Sequence, residues 1–276
     1  MRVVRRSHRR CARYVIPAGY CRAVQTVSTQ LGASGRQRLV WQLLSEALVA
    51  VAEPSVLDCG GGSGSFAVPL AESGALVTVV DISPDALATL RRRAAEVGVA
   101  DRIRPVQGDV EQLGDVLGES KFDVVLAHGI LQAVDDGVAA FRAVAAAVRP
   151  GGMLSVLIDN PDASVIARAL SGDVTAALAE LRARIAADSS SIALRGIEAV
   201  LAQSQQLGLH VEALHGVGVF TELVPVAGLE ARSEQADALA ELEALASTRS
   251  PYRDLASRVH LLLRRTGSAD GSAGTG

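Results

Sequence analysis

The sequence predicts an α/β fold: a doubly wound, seven-stranded, mostly parallel sheet with helices on both faces and a small helical lid. Three observations lead to this prediction. Short apolar runs alternate with helical patterns between residues 55 and 158. A glycine cluster directly follows the first run, and polar residues stand where the next three runs end. Such alternation implies right-handed crossovers, and therefore parallel strands.

The first predicted element is an amphipathic helix over residues 36–52. Apolar residues recur at helical spacing from Leu39 to Leu48, and Pro54 closes the element. Arg36 opens this helix, where a cation gains nothing from the helix dipole. Two interpretations of Arg36 stay open: an exposed surface residue, or a cation held for an anion such as a ligand carboxylate.

A glycine-rich turn follows the first strand and is the most informative stretch of the chain. The strand carries Asp58 near its end, and the turn contains Gly60, Gly61, Gly62 and Gly64. Glycines remove side chains that would block a ligand, and they permit positive φ. The sequence lacks the Gly-Lys-Ser/Thr ending of a phosphate-binding loop, and Ser65 stands where the dinucleotide fingerprint has Gly or Ala. The turn predicts a small-molecule cradle at the carboxyl edge of the sheet; a plain turn between strand and helix is the alternative.

The second strand, residues 75–80, is a continuous run rich in β-branched residues that ends at Asp81. An acidic residue about 20 positions after the glycines is placed to accept the two ribose hydroxyls of a nucleoside. The alternative is a helix N-cap, but Ser83 before Pro84 is the better cap. We therefore predict that Asp81, with its neighbour Ile82, belongs to a ligand site.

Two further strand ends carry candidate site residues. The third strand, 102–106, leads into Gln107, Gly108, Asp109 and Val110, a stretch that by itself could be an ordinary turn. The fourth strand, 122–127, ends at His128. Because such ends line the crevice of open α/β sheets, we expect His128 to face a ligand. It is also the candidate catalytic residue, as a base acting on the substrate, or else a structural histidine.

Residues 160–207 interrupt the alternation with alanine-rich helical patterns near 162–187 and 195–207, and are predicted to form a lid above the crevice. A strand over 209–220, a helix over 228–246 and a last strand over 257–264 follow. The predicted organisation is a basic tail over 1–35, one domain over 36–265 and a flexible tail over 266–276.

Composition excludes several functional classes. The formal net charge is −3, so nothing global favours nucleic acid. No run approaches the ~18 apolar residues of a membrane span. The three cysteines lack metal-ligand spacing, which predicts no metal site and a reduced, cytoplasmic location. Residues 1–35 contain arginines and no acidic residue; a disordered tail is favoured there over a nucleic-acid arm or targeting peptide.

The pattern Asp58-x-Gly60-x-Gly62-x-Gly64 resembles the first motif of the class I S-adenosylmethionine (SAM) methyltransferases. Within that class the chain looks most similar to the bacterial tRNA carboxymethoxyuridine methyltransferases. The matching stretches are Arg36-Gln-Arg-Leu-Val-Trp41-Gln, Val56-Leu-Asp-Cys-Gly-Gly-Gly62, His128-Gly-Ile-Leu-Gln, Arg149-Pro-Gly-Gly-Met-Leu-Ser155, Gly216-Val-Gly-Val-Phe220 and Pro251-Tyr252.

The resemblance implies a Rossmann-like domain that uses SAM as cofactor. It implies contacts with SAM at Arg36, Gly60, Gly61, Asp81, Gln107, Gly108 and His128. It further implies that Asp109 accepts a hydrogen bond from the adenine amino group, with Gly108 and Val110 against the ring. The implied activity is methyl transfer to a small-molecule or RNA acceptor.

The acceptor side departs from the family pattern. Gly218 replaces an arginine of the family's Gly-Val-Arg-Val-Phe, and Ala256-Ser257-Arg258-Val259-His260 stands where the family has Gly-Arg-Tyr-Ile-His. The partner is therefore predicted as tRNA or a small molecule. A SAM-binding regulatory module without catalysis is the competing hypothesis, and a nicotinamide dehydrogenase conflicts with Ser65.

Overall fold

A computed structural model of the protein describes residues 35–48, 51–186, 196–224 and 233–267. The predictions for 1–34 and 268–276 lie outside the described residues. No helix in the described ranges is long and apolar enough to cross a membrane.

The strands of the described chain form one seven-stranded sheet with the order β3-β2-β1-β4-β5-β7-β6. The first five strands in this order pair in parallel, and β7 runs antiparallel to both neighbours. The predicted mostly parallel sheet is confirmed. Its connections reverse direction at β1 and β4, the point where a crevice opens in such sheets. The strands are β1 Ser55–Cys59, β2 Leu76–Asp81, β3 Ile103–Gln107, β4 Phe122–His128, β5 Val148–Asp159, β6 Leu209–Val217 and β7 Arg258–Arg265.

Helices pack on both faces of the sheet, as the sequence predicts. One apolar core joins the sheet to α1, α2 and α3, and a second core on the other face joins it to α4, α5 and α8. The helices are α1 Gly35–Leu48, α2 Ala67–Glu72, α3 Pro84–Glu96, α4 Leu113–Leu117, α5 Gly137–Ala147, α6 Pro161–Leu170, α7 Val174–Ala186, α8 Ile197–Gln206 and α9 Ser233–Ala246.

Helix α1 covers the glycine-turn side of the sheet. Val40, Trp41, Leu44 and Leu48 are buried at helical spacing, which confirms the predicted amphipathic pattern. Trp41 stacks on Phe66 with ring centroids 5.1 Å apart. The helix was predicted to reach residue 52, but it ends at Leu48, and residues 51–54 are not helical.

Two predicted strand boundaries are wrong, and a glycine with positive φ lies near each. The fifth strand starts at Val148 instead of residue 153, because Arg149–Gly152 forms a bulge between the pairs Phe122–Val148 and Val124–Met153. The sixth strand ends at Val217 instead of residue 220. Gly151 and Gly218 have φ of +72° and +78°, a backbone conformation that breaks a regular ladder.

The lid segment is helical, but it is divided differently from the prediction. The pattern over 162–187 forms two helices, α6 and α7, which pack against each other. Gly172, with φ of +89°, ends the first of them. Asp173 then accepts a hydrogen bond from the backbone N–H of Ala176 in the next helix.

Candidate active site

A cavity of about 270 Å³ opens at the carboxyl edge of the sheet. It lies where β1 and β4 end, beside the glycine turn and below α1. The end of β5 and the start of β7 form its other wall. The lining residues are Val40, Asp58, Gly60, Gly61, Ser65, Phe66, His128, Gly129, Leu157, Asp159, Val217 and Arg258.

Asp58 is the buried carboxyl group of this cavity. Its side chain belongs to a residue that is only 3% exposed, and no donor among the described residues bonds its Oδ2. Burial, together with the nearby charge of Asp81, raises the pKa of Asp58 to about 7. A buried carboxyl oxygen without a protein donor is suited to receive a cationic group of a ligand.

The glycines of the turn are required by the protein as well as by a ligand. A Cβ on Gly61 would lie 2.5 Å from Oδ2 of Asp58, and one on Gly64 would lie 2.3 Å from Cδ1 of Leu90. Gly60 has φ of +70° and donates its N–H to the carbonyl of Val80 at 2.7 Å. The turn is therefore bare because the backbone folds tightly over its own strand and helix.

Asp81 ties the end of β2 to this turn. Its Oδ2 accepts from the N–H of Gly62 at 2.8 Å, and its Oδ1 accepts from the N–H of Ser83 at 2.8 Å. Ser83 caps α3 by accepting from the N–H of Ala86, which confirms the cap predicted from the sequence. Each oxygen of a carboxylate has a second acceptor direction, so Asp81 retains capacity for ligand hydroxyls.

The stretch after β3 lies next to Asp81. Gly108 donates its N–H to the carbonyl of Asp81 at 3.1 Å, and the Gln107 side chain donates to the carbonyl of Ile82 at 3.4 Å. Ile82 is 71% exposed. An exposed isoleucine beside a polar cleft gives an apolar surface on which a planar ligand group can rest.

Asp109 and Val110 have visible structural roles. Asp109 accepts from the N–H of Glu111 at 2.9 Å and caps a short 3₁₀ turn. Val110 is buried, at 4% exposure, and packs in the core of the sheet. Their predicted adenine contacts stay predictions.

His128 stands at the end of β4, in the wall of the cavity. Its Nε2 lies 2.8 Å from the hydroxyl of Ser155, and its ring meets Phe66 edge-on at 4.6 Å. Burial, helped by the positive charge of Arg258, lowers the pKa of His128 to about 3. The imidazole is therefore neutral at physiological pH.

Four of the predicted site residues meet in one cavity, and the side chain of a fifth, Arg36, is not described. Asp58, Gly60, Gly61 and His128 line the same cavity. Arg36 lies in the first turn of α1, but its side chain is outside the described part of the structure.

The candidate site residues predicted from the sequence did not include Asp159 and Arg258, which form the opposite wall of the cavity. These residues pair across β5 and β7, and the Nε of Arg258 donates to Oδ1 of Asp159 at 2.9 Å. They are 99 positions apart, so no local motif could have linked them. The available signals were that Asp159 directly follows the predicted fifth strand, and that Arg258 lies at the start of the predicted last strand, in the stretch that departs from the family pattern.

Comparisons with known proteins identify the domain. Residues 56–152 match the family model described as a methyltransferase domain. Residues 56–152 therefore carry a methyltransferase domain. Solved methyltransferases of this fold are named as SAM-dependent.

Relatives match the methyltransferase domain over different lengths. The chain is 27% identical over 240 residues to the tRNA 5-carboxymethoxyuridine methyltransferase of Escherichia coli, which covers 85% of the chain and 90% of that protein. It is 38% identical over 114 residues to a ubiquinone biosynthesis O-methyltransferase of Alkalilimnicola ehrlichii, covering 41% of the chain and 45% of that protein. A solved SAM-dependent methyltransferase of Mesorhizobium loti shares the fold, with a TM-score of 0.53 and 20% identity over 85% of this chain and all of that one.

The residues of the cavity fit this cofactor. The unpaired Oδ2 of Asp58 suits an ammonium group, and the tight glycine turn leaves its backbone open to the cavity. No group of three or more His, Cys, Asp or Glu residues that could hold a metal occurs in the described ranges.

Proposed function

We propose that the methyltransferase domain holds the amino-acid part of SAM in the cavity and its nucleoside along the neighbouring strand ends. The observation that supports this is the direct hydrogen bond from Gly62 to Asp81, which joins the glycine turn to the second strand end. Asp58, Gly60, Gly61 and His128 would face the amino-acid part. The nucleoside would lie along Gly62, Asp81, Ile82 and the stretch from Gln107 to Val110, with Gly64 shaping the turn from behind and Arg36 a candidate for the carboxylate.

When bound, SAM supplies a methyl group on a cationic sulfur, which needs no further activation. The remaining task of the chain is to place an acceptor oxygen in line and to keep water out. Phe66, Val40 and Val217 supply apolar walls for this, and Val217 is buried at the end of β6.

We propose that the acceptor carries a carboxylate and that its oxygen is methylated. Arg258 supports this, because its guanidinium forms part of the cavity wall and its charge reaches His128. Asp159 holds that guanidinium in place. A carboxylate is already an anionic nucleophile, so no strong base is required.

The first acceptor to test is carboxymethoxyuridine in tRNA. The E. coli relative that matches most of the chain is named for that substrate, and a carboxylate next to Arg258 agrees with it.

A carboxylate-bearing small molecule is the second candidate. Two arginines of the lid, Arg168 and Arg184, are ion-paired with Glu180 and Asp162. A surface that binds tRNA phosphates gains affinity from cations that are available to them, and paired arginines provide less of it.

The domain limits 36–265, with a lid over 160–207, are part of this proposal. We also propose a cytoplasmic location, which the sparse cysteines predict and which cell fractionation would check.

Two experiments test the proposal. Calorimetry should show SAM binding that Asp81→Ala abolishes, whereas Asp85→Ala, four residues along in α3, should bind like wild type. Unchanged affinity in Asp81→Ala would overturn the nucleoside role of this residue.

The acceptor is tested by transfer of labelled methyl groups to a cell extract, with and without RNase. Label that disappears after RNase supports tRNA, and mass spectrometry of tRNA from a deletion strain then identifies the nucleoside. Label that persists on small molecules supports the second candidate. Binding of SAM without any transfer would favour a regulatory module.

A further inference from the structure

The strongest unexplained feature is a row of buried polar residues that extends from the cavity into the sheet. His128 on β4 pairs with Leu157 on β5, and Leu157 pairs with His260 on β7. Ser155 precedes Leu157 by two residues, so its side chain lies on the same face of β5. Ser155 and His260 are both 0% exposed.

The hydroxyl of Ser155 bridges two imidazoles. Its Oγ lies 2.8 Å from Nε2 of His128 and 2.8 Å from Nε2 of His260. A hydroxyl has one hydrogen, so it can donate to only one of the two rings. The other ring must then be the donor if both short contacts are hydrogen bonds.

Both rings are neutral, which limits the arrangements further. Burial lowers the pKa of His128 and also that of His260. Each ring therefore carries a single N–H, either on Nε2 next to Ser155 or on Nδ1. The Nδ1 atoms of His128 and His260 have no hydrogen-bond partner within the described part of the chain.

Three arrangements remain, and they differ in where an unmatched hydrogen is left. If both rings protonate Nε2, the hydroxyl hydrogen of Ser155 has no acceptor in a fully buried position. If His128 protonates Nε2 and His260 protonates Nδ1, the unmatched N–H lies on His260, inside the sheet. If His260 protonates Nε2 and His128 protonates Nδ1, the unmatched N–H lies on His128, a residue of the cavity wall.

Only the third arrangement leaves the hydrogen on a residue that a ligand can reach. An unsatisfied buried donor is costly, so the arrangement that puts the open N–H in the cavity wall, where a ligand can accept the hydrogen, is favoured. The chain of bonds then runs from His260 Nε2–H to Ser155 Oγ, and from Ser155 Oγ–H to His128 Nε2.

We propose that Ser155 and His260 are positioning residues that fix His128 in its Nδ1–H tautomer, so that His128 is a neutral hydrogen-bond donor in the cavity and not a general base. The oxygen that it serves is a carboxylate, from either the cofactor or the acceptor. This second part rests on the proposed function, whereas the tautomer does not.

The tautomer is measured directly by ¹⁵N NMR of the histidine rings in the free protein. We expect protonated Nδ1 on His128 and protonated Nε2 on His260. Ser155→Ala should mix the two tautomers of His128, and Ser155→Thr, which keeps the hydroxyl, should restore the single form. Ser204→Ala is the matched control, because Ser204 is equally buried but bonds only the carbonyl of Val200. A wild-type His128 protonated on Nε2 would overturn the proposal even if every variant failed to fold.

Two amide substitutions of His128 test the donor with SAM itself. In Asn the amide nitrogen is attached to Cγ, as Nδ1 is, whereas in Gln it reaches roughly the place of Nε2. If the served oxygen is the cofactor's, His128→Asn should keep SAM affinity within about fivefold and His128→Gln should lose about tenfold or more. If it is the acceptor's, the same contrast should appear in the KM of the acceptor.

Equal loss of activity in both variants, with kcat falling and both SAM affinity and acceptor KM unchanged, would show a base and would overturn the proposal. Failure of the proposed function would give another result. The wild-type protein would then not bind SAM, whereas ¹⁵N NMR would still measure the tautomers of His128 and His260.

Discussion

Asp58 gives the sharpest test of how the site is built, because its carboxyl group is buried for function at a cost in stability. Its pKa is about 7 in the folded protein, against 3.8 for an ordinary aspartate. Between these two values the folded state holds a proton that the unfolded state has released. The stability that this proton provides is therefore fully present below pH 3.8 and is lost as the pH rises through about 7.

The size of the effect follows from the two pKa values. Between pH 5 and pH 8 the wild-type protein should lose about 2.5 kcal/mol of unfolding free energy through this one group. Asp58→Asn cannot ionise, so its stability should not show this loss. Urea denaturation of both proteins at pH 5 and pH 8 measures the difference, and all other titrating groups cancel between them.

Asp101→Asn, which changes an exposed carboxylate, is the control and should show the wild-type pH dependence. Parallel curves for wild type and Asp58→Asn would refute the reasoning. Since we propose that Asp58 receives the ammonium of SAM, the Asn variant should also bind SAM more weakly although it is more stable at pH 8.

Three further predictions concern stability. Glu243 is buried and accepts hydrogen bonds from the backbone N–H groups of residues 219–221. Glu243→Gln should lower the unfolding free energy by about 1–3 kcal/mol in urea denaturation, whereas Glu241→Gln, at an exposed position, should lower it by almost nothing. Equal losses would contradict a stabilising role for these hydrogen bonds. Gly64→Ala should cost at least about 2 kcal/mol more than Gly98→Ala, because both glycines have φ near +80° but only Gly64 has Leu90 against it; indistinguishable melting would count against that contact. Because burial lowers the pKa of His128 in the folded protein, the unfolded protein is protonated first as the pH falls below 6.5. Between pH 7 and pH 5 the wild-type protein should therefore lose about 2 kcal/mol more unfolding free energy than His128→Asn. An identical loss in the two proteins would disprove the burial of His128.

The part of the site that could be predicted from the sequence is local in the chain. Asp58 and its glycines occupy seven consecutive positions, and the strand end at Asp81 follows from one apolar run. Each of these signals reports a backbone conformation that a few neighbouring residues determine. Helix limits were less accurate, since α1 stops at Leu48 although the apolar pattern continues beyond it.

The part that could not be predicted depends on strand order. Nothing in the sequence shows that β7 inserts between β5 and β6, and this insertion alone brings His260 beside Ser155. The stacking of Trp41 on Phe66 could not be predicted from the sequence either. Contacts between residues about 100 positions apart are fixed by topology, which a periodicity argument does not contain.

This division explains why the cofactor is better determined than the acceptor. The match to the family model ends at residue 152, before Asp159 and Arg258, which form the opposite wall of the cavity. One half of the cavity is formed by β1 and β4, which are neighbours in the sheet. The geometry of its glycine turn tolerates little change, as the close contacts behind Gly61 and Gly64 show. At the start of β7, Ser257 and Arg258 bond residues 217, 218, 159 and 160 and not the glycine turn, so these two positions can differ from those of a relative without disturbing the turn. Acceptor choice in this protein is therefore expected to follow Arg258, and Arg258→Ala should raise the KM of a carboxylate acceptor by a larger factor than it weakens the binding of SAM.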